Sequence, residues 1–161
     1  MNYCRRLPDR LYFEDYSSIE RMIEDAHHIF GREIFNSKII FNNKPVYFFE
    51  TPIVAGYEQG FYHCTTTDSD MKAGRTLDVY RVERVPWIGP IIKNVDCELD
   101  CCDGFMIWID PRKDKTHIYM DGERYLIVLE EKKNVYNFIT AFYVERISQH
   151  RKLISKYNKY G

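Results

Sequence analysis

Four β-rich runs, joined by short polar connections, dominate the second half of the chain: GFMIWID, THIYMDG, RYLIVLEE and VYNFITAFYVE. A connection of a few residues can reverse the chain direction, but it is too short for the crossover that parallel strands need. Consecutive runs are therefore expected to pair as neighbours. The sequence predicts an antiparallel meander whose strands lie near 105–110, 116–120, 124–130 and 134–143.

Helical patterns flank this meander. Ser17 and Glu20 form a capping box, and apolar residues then recur at helical spacing from Ile19 to Phe30. Gly31 is expected to end that helix. A closing helix is predicted over 145–158. Helices on either side of an antiparallel sheet in the chain indicate an α+β fold.

Shorter elements are predicted between the first helix and the meander. The runs KIIF and VYFFE surround NNKP, where Asn42 and Asn43 can adopt the positive φ angles of a tight hairpin turn. A strand is expected from Phe61 to about Thr65. A helix should follow over TLDVYRVERV and end at Pro86, before a second, irregular helical segment.

Length and composition narrow the classes of protein. With 161 residues the chain is long enough to bury the core of a single domain. No apolar run approaches membrane-spanning length, and no apolar segment of a secretory signal follows the charged N-terminus, so we expect no membrane partner. Five cysteines, an odd number that includes the neighbours Cys101 and Cys102, favour reduced thiols in a cytoplasmic protein.

The end of the chain concentrates positive charge, although the formal net charge is −1. The basic side chains of this tail are Arg146, His150, Arg151, Lys152, Lys156 and Lys159. They follow a predicted strand that carries Thr140 and Tyr143. Cations beside hydroxyl groups suit a phosphate ligand, and RNA is the long phosphate ligand that we expect. A solvated helix with the usual basic bias at its C-terminal end has the same composition.

Two histidines are candidates for proton transfer. His63 ends the run GFYH and precedes CTTT, a polar stretch that can line a cleft. A histidine near its ordinary pKa of about 6.5 can act as general acid or base at neutral pH. The alternative is a core or edge histidine that is bonded to a carbonyl. His117, in the middle of a predicted strand beside Lys115, is the second candidate.

Arg81 and Arg84 lie three residues apart on a predicted helix and therefore share a face. Two guanidinium groups can hold a phosphate, and the nearby Trp87 can stack on a base. The alternative is that Glu83 and nearby acids neutralise the arginines and that Trp87 belongs to the core.

The acidic, cysteine-bearing segment 95–103 fails the spacing tests for a metal site. Ile107 stands where a calcium loop needs its last glutamate, and the paired C-x-x-C spacing of a zinc site is missing. We expect a solvated loop here, with no metal and no cofactor.

Several of these segments, in this order, resemble the barnase–EndoU–colicin–RelE nuclease superfamily, and in particular its phage-associated branch. The segments are FYHCTTT, YRVERVPWIGPIIKN, FMIWID and RYLIVLEE…VYNFITAFYV with a basic end. The similarity covers roughly residues 45–160. It implies one domain, 1–161, in which 45–161 form a nuclease-like core and 1–44 an N-terminal extension of helix and strand.

The resemblance implies a metal-independent ribonuclease with helices packed on an antiparallel sheet. In this class the ribose 2′-hydroxyl attacks the adjacent phosphate, helped by a general base, a general acid and cations. It assigns catalytic roles to His63, Arg84, Thr140 and Tyr143, and a basic group of the last helix to Arg151 or Lys152. RNA binding is expected from Arg81, Arg151, Lys152 and Lys156. A toxin or phage-related enzyme of this kind can have an inhibitor or antitoxin protein as partner.

Two other functions fit the same residues. One is a non-catalytic RNA- or protein-binding module on the same scaffold. The other is an ADP-ribosyltransferase-like enzyme, which would need a glutamate such as Glu130 or Glu145 in the same cleft as His63.

Overall fold

The computed structural model describes residues 7–68, 74–95 and 105–161, and these form a mixed α+β structure around a six-stranded sheet. The helices are α1 (Ile19–Phe30), α2 (Gln59–Thr65), α3 (Val79–Glu83), α4 (Ile88–Lys93) and α5 (Ile147–Tyr160). The strands are β1 (Ile40–Phe41), β2 (Lys44–Tyr47), β3 (Ile53–Val54), β4 (Tyr57–Glu58), β5 (Thr66–Asp68), β6 (Arg75–Leu77), β7 (Met106–Asp110), β8 (Lys115–Met120), β9 (Tyr125–Glu131) and β10 (Tyr136–Tyr143).

The predicted meander is confirmed. Strands β7 to β10 pair antiparallel with their sequence neighbours, and the sheet order is β1–β2–β10–β9–β8–β7. The predicted hairpin at NNKP is also confirmed, because Asn42 and Asn43 have φ angles of 48° and 65° between β1 and β2. Pairs β3–β4 and β5–β6 form two small separate ribbons.

Strand β2 joins the meander in a way that the sequence did not predict. It lies parallel to β10 and pairs with it only at Tyr136 and Asn137. In the part of the chain that is described, the rest of β10 has no strand on that side. Helices α2 and α3 pack against this edge instead. They bring the segment around His63 and Arg81 next to β10.

The two faces of the sheet are covered differently. On the helix face, α1 to α4 enclose a large core that includes Met22, Phe30, Phe61 and Trp87. Helix α1 thus packs into the same core as the meander. On the α5 face, the single helix α5 packs on a smaller cluster that includes Leu153. Side chains alternate between these faces along the strands, except at a β-bulge in β10.

Local predictions failed at three positions. The cap of α1 is Ser18, whose hydroxyl accepts from the Arg21 N–H at 3.3 Å, so the predicted cap at Ser17 is wrong. Helix α1 does end at Phe30, with Gly31 as its C-cap as predicted, and the chain then continues through a π-helical turn, Gly31–Phe35, that buries Ile34. The helix predicted over TLDVYRVERV is wrong at its start, because Arg75–Leu77 is strand β6 and α3 covers only Val79–Glu83. None of the helices in the described ranges is both long and apolar enough to cross a membrane.

The third wrong prediction concerns the segment that carries His63, which is helix α2 and not a strand. Phe61, Cys64 and Thr65 are buried at the i, i+3, i+4 spacing of a helix face. This spacing indicates a helix, but the neighbouring threonines, which are common in strands, favoured the strand prediction. The hydroxyls of Thr65 and Thr66 donate to the carbonyls of Phe61 and Tyr62, at 2.9 and 2.6 Å, and so satisfy the end of the helix.

Candidate functional site

A groove of about 950 Å³ lies between α5 and strands β8, β9 and β10 on the α5 face. Its floor is partly apolar and includes Val128, Ile139 and Phe142. Five cations line it, and none of the described residues along it is an aspartate or glutamate. The cations are Lys113, Lys115, Arg146, Lys152 and Lys156.

Two polar side chains of the groove stand in one row across the sheet. Cross-strand register pairs Trp108 with His117, His117 with Val128, and Val128 with Thr140. Adjacent strands lie about 4.8 Å apart, so the Cα atoms of His117 and Thr140 are separated by roughly 10 Å. Val128 lies between them.

A β-bulge turns Thr140 toward the groove. Phe138 opposes Leu129, whereas Thr140 opposes Val128, so Ile139 has no partner on β9. In a regular strand, with Ile139 paired, Thr140 would face the same side as Phe138, which is in the helix-face core. The bulge therefore places Ile139 and Thr140 on the same face, where both line the groove.

The guanidinium group of Arg81 binds the hydroxyl of Thr140. One guanidinium nitrogen donates to the Thr140 hydroxyl at 3.4 Å and to the His63 carbonyl at 3.2 Å, and another donates to the Thr67 hydroxyl at 3.4 Å. The Arg81 side chain is 11 % exposed. Burial lowers its pKa, and Asp78 opposes that shift. Arg81 nevertheless keeps its charge, because an arginine does not deprotonate near neutral pH.

The imidazole of His117 is fixed at both its edge and its face. Its Nδ1 lies 3.1 Å from the Lys115 carbonyl, which can only accept, so Nδ1 carries the proton when the ring is neutral. The ring stacks on Trp108, with centroids 5.1 Å apart and planes 13° from parallel. Burial lowers the pKa of His117, so the neutral ring predominates at pH 7.

The lysines of the groove differ in their ion pairs. Lys156 donates to Asp110 at 3.0 Å, and this bond lowers the pKa of that buried carboxyl. Lys115 lies 3.7 Å from Glu130. Within the described ranges, Lys113, Arg146 and Lys152 form no ion pair, and they are therefore free to bind an anionic ligand.

His63 does not line this groove. Its side chain borders a separate cavity of about 130 Å³, together with Gln59, Phe138 and Ile139. Its buried Nδ1 has no hydrogen-bond partner among the described residues. Burial lowers the pKa of His63, and the neighbouring guanidiniums of Arg75 and Arg81 lower it further. The His63 carbonyl and the Thr140 hydroxyl both accept from Arg81, and Ile139 lines both the His63 cavity and the groove.

Arg84 and Tyr143 lie together, but on the helix face. The Arg84 guanidinium stacks on the Tyr143 ring at 4.3 Å and donates to the Tyr80 carbonyl at 2.9 Å. Tyr143 opposes Tyr125, which belongs to the helix-face core. The structure therefore separates these two predicted site residues from Thr140.

Trp87 also belongs to the core, with 1 % of its surface exposed, so it is not available to stack on a base. Arg151 is exposed on the side of α5 opposite to Gln149 and does not line the groove, whereas Lys152 and Lys156 do. His150 bonds the Tyr119 hydroxyl at 2.6 Å and so helps to attach α5 to the sheet.

The described ranges contain no group of three or more histidine, cysteine, aspartate or glutamate side chains that could hold a metal. The acidic, cysteine-bearing segment, for which we predicted a solvated loop, lies outside the described residues from position 96 to position 103.

Part of the groove lining has a signal in the sequence. Lys115 and His117 are two residues apart on one strand and so share a face, while Lys152 and Lys156 are four apart on one helix. Nothing in the sequence showed that this strand and this helix face each other.

Comparison of the chain with protein-family models, with curated proteins and with solved structures found no match.

Proposed function

We propose that the groove binds RNA and that the protein is a metal-independent endoribonuclease on a nuclease-like α+β scaffold. The observation that carries this proposal is the charge of the groove. No acid is in its described lining, and three of its five cations, Lys113, Arg146 and Lys152, form no ion pair in the described ranges, in a chain whose formal net charge is −1. Such a concentration of one sign in a concave site favours a phosphate polymer over a neutral ligand.

The shape and composition of the groove favour a single strand over a duplex. Its apolar floor includes Phe142, on which a base or ribose can pack, and its cationic rim can follow the backbone. Lys113 and Lys152 are free of ion pairs in the described ranges and supply phosphate contacts. Arg146, at the start of α5, extends the same positive surface.

Thr140 and the cations can stabilise the charge that develops during cleavage. The Thr140 hydroxyl accepts from Arg81, so its own proton remains available for a phosphate oxygen. A donor that is held in place before the reaction stabilises a transition state at little reorganisation cost. Lys152 and Lys156 add positive charge on the opposite wall of the groove.

An ADP-ribosyltransferase-like activity is not favoured, because that class needs a carboxylate beside the reacting ribose. Glu130 forms ion pairs with Lys115 and Lys132 and is not among the residues that line the groove. Glu145 is exposed and does not line it either.

The test is cleavage of a single-stranded RNA oligonucleotide in excess chelator, beside an oligonucleotide of the same sequence with 2′-deoxyribose throughout. We expect the RNA alone to be cut, with 2′,3′-cyclic phosphate and 5′-hydroxyl ends. Binding without cleavage would replace the enzyme with an RNA-binding module, and absence of both would reject the proposal.

The matched variants are Lys152→Ala and Arg151→Ala, neighbours on α5 that face toward and away from the groove. Lys152→Ala should weaken RNA binding and reduce the salt dependence by about one phosphate contact. Arg151→Ala should change neither. Equal effects would show that binding follows the charge of the helix and not the groove.

A further inference from the structure

We infer that His117 is the general base of the groove, and that its Nε2 takes the proton of the ribose 2′-hydroxyl. This inference rests on the proposed function and names the residue that starts the reaction. The earlier candidate, His63, borders a different cavity, whereas His117 lines the same groove as Thr140 and Lys152.

The backbone of β8 selects the required tautomer. The Nδ1–H of His117 donates to the Lys115 carbonyl at 3.1 Å, so Nε2 of the neutral ring carries a lone pair. Nε2 has no hydrogen bond to any described residue, and it is therefore free to accept a proton from a ligand. Stacking on Trp108 restricts rotation of the ring.

The charged groups around His117 come from four neighbouring elements and from its own strand. The hydrogen bond to the Lys115 carbonyl and the charge of Asp110 on β7 raise its pKa, whereas Lys156 of α5 and Lys113 of the β7–β8 turn lower it. Lys115 lies two residues away on β8 and pairs with Glu130 of β9. Burial is the largest influence and lowers the pKa, so the ring is neutral at pH 7, as a base must be.

The row across the sheet accommodates one ribose–phosphate unit above Val128. His117 at one side removes the 2′-hydroxyl proton. Thr140 at the other side, whose hydroxyl accepts from Arg81, uses its own proton to donate a hydrogen bond to a phosphate oxygen. The 2′-oxygen then bonds to phosphorus and the bond from phosphorus to the 5′-oxygen breaks. The leaving oxygen takes a proton from water, and the imidazolium returns its proton to the hydroxide that remains.

The main test compares two substitutions at this position. His117→Ala removes the whole ring, and His117→Asn keeps an N–H donor for the Lys115 carbonyl but has no equivalent of Nε2. Both should lose on the order of a hundredfold or more in cleavage rate, which is typical of a positioned proton-transfer group. Affinity for the 2′-deoxy oligonucleotide should change less than about threefold, since the lost ring is neutral. His28→Ala, an exposed histidine on α1, is the matched control and should cleave like the wild type.

The pH dependence separates a base from a merely structural histidine. The wild-type rate should rise with pH while His117 loses its proton, and it should level off before pH 7 because that pKa lies below about 6.5. The His117→Asn protein should lack this rise. A retained rise, or a hundredfold loss in His63→Ala without one in His117→Asn, would overturn the inference and leave the proposed function intact.

A second measurement does not depend on activity. Nitrogen-15 NMR of the side chains should show His117 as the tautomer protonated at Nδ1. Protonation at Nε2 would overturn the inference. A wild-type protein that binds RNA without cutting it would overturn both this inference and the ribonuclease proposal, whereas cleavage retained by His117→Asn would overturn this inference alone.

Discussion

On the helix face of the sheet, Arg84 and Tyr143 pack against each other beside helix α3, whereas on the α5 face Thr140 and Lys152 border an open groove. The residue types are similar, since each pair has one cation and one hydroxyl. Their surroundings differ. Arg84 is 8 % exposed, and its guanidinium contacts the Glu83 carboxylate, a backbone carbonyl and two aromatic rings.

The comparison shows that the packing of helices over a polar pair, more than its residue types, decides whether the pair is available to bind a ligand. A buried charge must find its partners inside the protein, because an unpaired one is costly. On the α5 face a single helix covers the strands only in part, so Lys152 needs no such partner. The groove is the part of the sheet that α5 leaves uncovered.

The largest expected effect lies deep on the helix face. Phe30 is fully buried and contacts Phe35, Phe48 and Phe61 edge to face. Phe30→Ala should lower the free energy of unfolding by about 3–5 kcal/mol, measured by urea denaturation. Phe13→Ala, at a position that is 46 % exposed, should cost far less. Similar losses for the two would contradict the description of this face as the main core.

The next effect compares the two cations directly. Arg84→Ala should lower the free energy of unfolding by about 1–3 kcal/mol, because it leaves buried partners such as the Tyr80 carbonyl unsatisfied. Lys152→Ala should leave stability within about 0.5 kcal/mol. For RNA affinity the order should be reversed, with the larger loss in Lys152→Ala. If Arg84→Ala weakened RNA binding more than Lys152→Ala, Arg84 would belong to the site and the contrast between the faces would fail.

The smallest effect tests how α5 is attached. Lys156 lowers the pKa of Asp110, so the folded carboxyl binds protons less readily than the unfolded one. The stabilisation should be complete above the ordinary aspartate pKa of about 3.9 and be lost as the pH falls through the lower, folded value. Thermal unfolding from pH 6 to pH 2 should show this loss, and Asp110→Asn should reduce it. An unchanged acid profile in Asp110→Asn would mean that the ion pair does not stabilise the attachment.

The sequence allowed the meander, the first and last helices and the Asn42–Asn43 turn to be predicted, because each depends on periodicity or on local turn chemistry. It did not predict helix α2. There the β-branched Thr65 suggested a strand, although its hydroxyl bonds to the Phe61 carbonyl within the helix. Local pattern also cannot reveal long-range pairing, such as the short parallel contact of β2 with β10.

Local pattern likewise did not reveal which of the predicted site residues would lie together in the folded chain. Thr140, Lys152 and Lys156 line the groove, and Arg81 supports it, whereas His63, Arg84, Tyr143 and Arg151 lie elsewhere. The side on which Thr140 lies depends on the bulge at Ile139, and strand alternation alone gives the opposite side. No local feature of VYNFITAFYVE marks that bulge.

The bulge also decides what a change of length in β10 would do. Ile139 has no partner on β9, so a deletion of Ile139 would join Phe138 directly to Thr140 and leave a regular strand. Thr140 would still oppose Val128 and would still face the groove, because neighbouring residues of a regular strand face opposite sides of the sheet. The groove would lose one apolar side chain and keep its polar row. At this one point of β10, a chain shorter by one residue would therefore present the same polar chemistry in the groove.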